Sequence, residues 1–362
     1  PDVSVADLIG DVDPIKAATL KLSYNDPRVI HYGLIPRSHR SIFVINELPD
    51  LQARIQVALF NILQEGDIQI RGFKVRLPLD IQFVFTANPE DYTNRGSIVT
   101  PLKDRIDSQI ITHYPKDIEI GKRITAQEAN IKPEQEAQVT VPEIARDLVE
   151  QIAIVARDSE YVDAKSGVSA RLTISAYENL LSAAERRTLV NQEKSTRIRV
   201  SDFLGVLPAI TGKVELVYEG EQEGPGIVAY TLIGKAIREQ FGQYFPDPED
   251  FRKKKEESPY KAITDWFGDN NHVDVLHDLT DDQLRKTLKE VPGLRDLVKK
   301  YHKKADEGLE VFLMEFALHG LAEHSQLSKQ QLERGLQFKD LLSSMFSMDG
   351  LNEDEDDEEK YF

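Results

Sequence analysis

Two short apolar runs each end in a side chain that could act on a phosphoryl group. Ser41-Ile42-Phe43-Val44-Ile45 leads into Asn46-Glu47, and Ile81-Gln82-Phe83-Val84-Phe85-Thr86-Ala87 leads into Asn88. A buried strand that delivers a carboxylate at its C-terminal edge can orient a water for attack on a phosphate. A second strand ending in a polar side chain can reach the same phosphate. Glu47 is the candidate for the first role and Asn88 for the second. Taken singly, each match is weak, and turn chemistry after a core strand is the better explanation of the Asn-Glu ending.

These side chains need a frame, and the intervening residues supply one. Leu51, Ile55, Ala58, Leu59, Ile62 and Leu63 recur at helical spacing after the first run. Residues 66–77 then alternate apolar and polar around Arg71-Gly72, which predicts a hairpin ahead of the second run. Residues 1–115 therefore read as α/β. From 116 to about 215 the pattern turns helical, with helices predicted over 142–157, over 173–189 and from a Ser201-Asp202 cap to about 211. The acidic, Gly/Pro-bearing stretch 219–226 predicts a linker. Further helices are predicted over 230–245, 280–289, 292–304 and 309–319. The tail from 352 is too charged to fold alone.

The order of these features carries more information than any one of them. Strand with Glu47, helix, hairpin, strand with Asn88, then Pro101-Leu102-Lys103-Asp104-Arg105: in this the chain resembles AAA+ ATPases of the magnesium-chelatase I-subunit and MoxR-like group. The stretches GDVDPIKAA and HYGLIPRSHRSIF resemble the segment just ahead of the Walker B strand in chelatase subunits. The likeness spans roughly residues 7–215. It implies an α/β AAA+ core over 1–115 with its P-loop part absent, and a helical lid domain over 116–218. A mainly helical C-terminal extension (226–351) and an acidic tail (352–362) would follow.

By the same resemblance Glu47 is the catalytic Walker B glutamate and Asn88 the sensor-1 residue. Arg105 would be an arginine finger reaching the ATP of a neighbouring subunit, with Arg95 in YTNRG as a competing candidate. Arg171 in GVSARLTI would be the nucleotide-contacting sensor 2. Asn46 stands where the family normally has aspartate; with Glu47 it makes the implied, water-mediated Mg2+ site, weakened because an amide is a poorer partner for that cation. ATP and Mg2+ are the implied cofactors. A homo-oligomer, expected as a hexameric ring, is the implied assembly, and a protein bearing a von Willebrand A domain the implied partner.

One departure is larger. No G-x-x-x-x-G-K-[ST] occurs: Gly121-Lys122, Gly212-Lys213 and Gly234-Lys235 lack both the upstream glycine and the following Ser/Thr. The chain opens on Pro1, and in the resembling group the missing loop precedes the segment matched here. We therefore expect further sequence upstream, and poor ATP binding by these residues alone, since the backbone nest that holds phosphates is missing.

Composition bounds the alternatives. The 362 residues, 40% hydrophobic and 30% charged, supply material for two or three domains. No run of 18 apolar residues and no signal-peptide pattern occurs, so a soluble, cytoplasmic protein is expected. The absence of cysteine excludes disulfides and thiol nucleophiles. Of the net charge of −17, the run 353–359 supplies seven, and the rest remains acidic, which argues against a nucleic-acid partner. His319 and His324, like His272 and His277, stand five apart and do not make a helical zinc pair. The non-enzymatic alternative is a degenerate AAA+ scaffold whose stripe Leu309, Phe312, Leu313 and Phe316 binds a partner, although an internal core explains that stripe equally well. A transcriptional activator is a more distant alternative, without a helix-turn-helix signal or a basic face.

Overall fold

The structure is a computed structural model that describes residues 3–24, 26–70, 76–88, 97–254, 257–332 and 334–341. It is mixed α/β and divides into two units, Pro1–His113 and Tyr114–Phe362.

In the first unit Ser41–Ile45 and Ile81–Phe85 pair in parallel, Ile45 opposite Phe85, so both strands end at the same edge. Side chains alternate across a strand, and one face, carrying Phe43, Ile45, Phe83 and Phe85, packs on Ile55, Leu59, Ile62 and Leu102. Ile42, Val44 and Val84 lie on the other face and are 69%, 57% and 41% exposed. Parallel strands are ordinarily covered on both faces, so here half of that cover is absent among the described residues. The expected connecting helix forms as two, Ala53–Ala58 and Phe60–Glu65. The second stops at Gly66, whose φ of +62° suits a residue without Cβ. The hairpin pairs Asp67–Gln69 with Arg76–Pro78; its tip, 71–75, lies outside the described residues.

In the second unit one hydrophobic core runs from Val139 to Phe338. It joins the expected lid and the expected extension. Helices Glu143–Arg157, Arg171–Asn191, Pro225–Tyr244 and Glu307–Glu323 line it. The predicted linker does not form: Tyr218–Glu223 is helical and Pro225 opens the next helix, because Gly224 at φ +91° makes the sharp turn alone. Ser201-Asp202 does not cap one long helix either. Ser201–Val206 is a 3-10 turn that runs into Leu207–Thr211, and the Asp202 carboxylate goes to Arg187. The extension is less purely helical than expected. Val273–Leu276, Ser328–Leu332 and Gly335–Lys339 form an antiparallel sheet with Gly335–Lys339 in the centre. Phe312, Leu313 and Phe316 are fully buried in the core, so the stripe proposed for a partner is internal. The acidic tail 352–362 falls outside the described residues.

No helix of the described residues is long and apolar enough to cross a membrane.

Candidate functional site

The shared C-terminal edge of the two parallel strands brings Asn46, Glu47 and the 86–88 segment together. Beyond Ile45 the chain must leave the strand, and Glu47 does so with φ +54° and ψ +59°. A non-glycine residue in this left-handed region costs on the order of 1 kcal/mol and persists only where its neighbours hold it. Thr86 holds it. Its Oγ1 accepts the Glu47 N–H at 2.9 Å and donates to Asn46 Oδ1 at 2.6 Å. Its backbone closes the same turn, with Thr86 N–H donating to Ile45 O at 3.0 Å and Leu48 N–H to Thr86 O at 2.9 Å. Leu48 and Pro49 behind the turn are buried, whereas Glu47 is half-buried and Asn46 and Asn88 are exposed. The edge therefore presents a carboxylate and two carboxamides to solvent from a pinned backbone. Open α/β sheets bind ligands at this position, outside the carboxyl ends of parallel strands.

The arginines are placed differently. The Arg105 guanidinium lies over the Phe60 ring at 5.1 Å and donates to Gln64 Oε1 at 2.7 and 3.1 Å and to Pro101 O at 2.5 Å. It is braced against the Phe60–Glu65 helix of its own unit, and this bracing, not an ion pair with Asp104 or Asp107, is its local role. Arg171 belongs to the second unit. It opens the Arg171–Asn191 helix, is exposed, and donates through its backbone and Nε to Ser169 Oγ. Arg95 lies outside the described residues.

Thr86 was not among the candidates from sequence, although the hydroxyl two residues before Asn88 was there to be seen. Asn46 as a Mg2+ ligand fits poorly: its neutral oxygen already takes the Thr86 proton, and hard cations favour charged oxygens.

Two further polar clusters lie in the second unit. Carboxylate oxygens of Glu119, Glu143 and Asp147 come within 4.8 Å of one another, a spacing that could hold a cation. That place is taken by the Lys122 ammonium, 2.6, 2.5 and 2.7 Å from the three. Burial opposes its charge, but the carboxylates outweigh burial and hold the lysine pKa above its usual value. The helical spacings 119/122 and 143/147 were the sequence signal for this cluster. The second cluster is His319, 3% exposed, with neither ring nitrogen hydrogen-bonded among the described residues. It lines a small cavity with Tyr230 and Lys329.

No protein-family model matches the chain, and no curated protein matches it. Among solved structures, a candidate ATPase from Cytophaga hutchinsonii is similar at 19% identity over 64% of this chain and 74% of that one, with a TM-score of 0.25.

Proposed function

We propose that the chain supplies the hydrolytic edge of an AAA+-type ATPase module of the chelatase/MoxR-like kind. The observation that supports this most is Glu47, half-buried and held in a left-handed conformation at the common end of two parallel strands. Strain kept at a strand edge and fixed by a neighbouring strand suits a positioned catalytic group better than a surface turn, where glycine or asparagine would cost less.

In this role Glu47 accepts a hydrogen bond from a water and aligns its lone pair with the γ-phosphorus of ATP. The P–O bond to the β-phosphate breaks, its electron pair leaves with ADP, and the water's proton ends on inorganic phosphate. Asn88, at the end of the adjoining strand, donates to a γ-phosphate oxygen. The phosphate-cradling loop is not among these 362 residues, so it must come from elsewhere in the polypeptide or from a partner. Because Asn46 fits Mg2+ poorly, no step is assigned to the metal.

Arg105 and Arg171 complete the proposal in a ring. Arg105 would have to leave Gln64 and Phe60 to reach a neighbour's nucleotide, so the finger role requires that this bracing be released on assembly. A hexameric ring, remodelling of a partner and a von Willebrand A-domain partner follow from the resemblance. The test is ATP turnover by the native protein and its Glu47→Gln variant. Loss of turnover with nucleotide binding retained supports the proposal; unchanged turnover removes it. A degenerate scaffold would show no turnover in either and no change of assembly on adding ATP.

A further inference from the structure

Thr86 does more than close a turn. Its Oγ1 accepts the Glu47 N–H at 2.9 Å, so the hydroxyl proton is free to be given away, and Asn46 Oδ1 lies 2.6 Å off to take it. The hydroxyl spends its one proton on Asn46 Oδ1, so it is the oxygen end of the carboxamide that faces Thr86. The oxygen turns inward, and the exposed NH2 group turns to solvent. We propose that Thr86 is a positioning residue that locks Asn46 and Glu47 as one unit, so that Asn46 presents N–H donors to an anionic phosphate oxygen and not a carbonyl to a cation. This rests on the nucleotide-hydrolysis function proposed above and adds to it a site whose first strand-end residue binds the anion.

The chemistry follows from the donor set. An aspartate at 46 would still accept the Thr86 proton on one oxygen and keep a charged oxygen for a cation. The carboxamide keeps no charge, and its second polar atom is a donor. Phosphate oxygens accept such donors well. The same hydroxyl holds the Glu47 backbone at φ +54°. Removing it therefore both frees the amide to rotate and lets Glu47 relax toward ordinary backbone angles.

The test uses the native protein with four substitutions and two readouts. Mn2+ binding, read by electron paramagnetic resonance without nucleotide, should be at least tenfold tighter in Asn46→Asp than in wild type. Equal affinity, or tight binding by the wild type, overturns the assignment of Asn46. Thr86→Val should lower kcat for ATP by tenfold or more with KM within threefold, and Thr86→Ser should restore it. A kcat unchanged in Thr86→Val, while Glu47→Gln is inactive, overturns the role of Thr86 and leaves the hydrolytic role of Glu47 intact. Activity of Glu47→Gln at the wild-type rate removes the underlying function instead.

Discussion

Glu47 carries a backbone conformation that glycine adopts freely and glutamate does not. Replacing it with glycine should therefore raise stability by up to about 1 kcal/mol, less the entropy glycine adds to the unfolded chain, while abolishing hydrolysis. A fall of more than 1 kcal/mol in urea unfolding would show that the side chain, not the turn, is what the fold needs. His319 gives a second test at this scale. Burial, aided by the nearby Lys329 charge, holds its pKa well below the usual histidine range. The unfolded chain then binds a proton that the fold refuses, so stability is full above about pH 6.5 and falls as pH drops below it, by roughly 1.4 kcal/mol per unit. His324, also lowered by burial, adds in the same direction. Glu150 and Glu315, whose burial raises their pKa, act oppositely, and because they are the same in wild type and in a His319 variant they drop out of that comparison. Unfolding measured between pH 6.5 and 5 should show the loss, and His319→Leu should flatten it; an unchanged slope in that variant would contradict the assignment to His319.

At the scale of elements, the joint between the bundle and the C-terminal helices is a buried charge network. Arg187 bonds both Asp202 oxygens at 3.1 and 2.9 Å, Thr196 at 2.8 Å and Asp281 at 3.2 Å, while Arg199 also pairs with Asp281. Removing Arg187 leaves Asp202 charged, buried and under-partnered, so Arg187→Ala should cost about 3–5 kcal/mol, measured by thermal or denaturant unfolding. A loss below 1 kcal/mol would mean that water replaces the guanidinium. Gly320 faces Phe241 so closely that a Cβ would overlap its ring. Gly320→Ala should therefore destabilise by about 1–3 kcal/mol despite its better helix propensity. The parallel strands and the longer helices were legible because their patterns are local: IFVI and FVF are continuous apolar runs, and Ile144, Leu148, Ile152 and Ala156 sit four apart. The antiparallel sheet was not, because Val273–Leu276 pairs with Gly335–Lys339 across some sixty residues, and short runs such as SKQQL carry no alternation. The candidate site was half legible. Residue type and strand ends pointed to Glu47 and Asn88, but the Thr86 lock exists only once the two strands are in register.

For the whole molecule, one core from Val139 to Phe338 makes the expected lid and extension a single folding unit. Ile42, Val44 and Val84 leave the other face of the parallel strand pair apolar and exposed among the described residues, where parallel strands are ordinarily covered on both faces. The central claim is that Glu47 orients the water that attacks ATP, and the direct measurement is steady-state ATP hydrolysis by the native protein and by Glu47→Gln, with binding of a non-hydrolysable analogue measured beside it. The account predicts a fall of at least ~100-fold in kcat with analogue affinity within threefold. Turnover at the wild-type rate in Glu47→Gln, or no ATP turnover by the native protein, would contradict it.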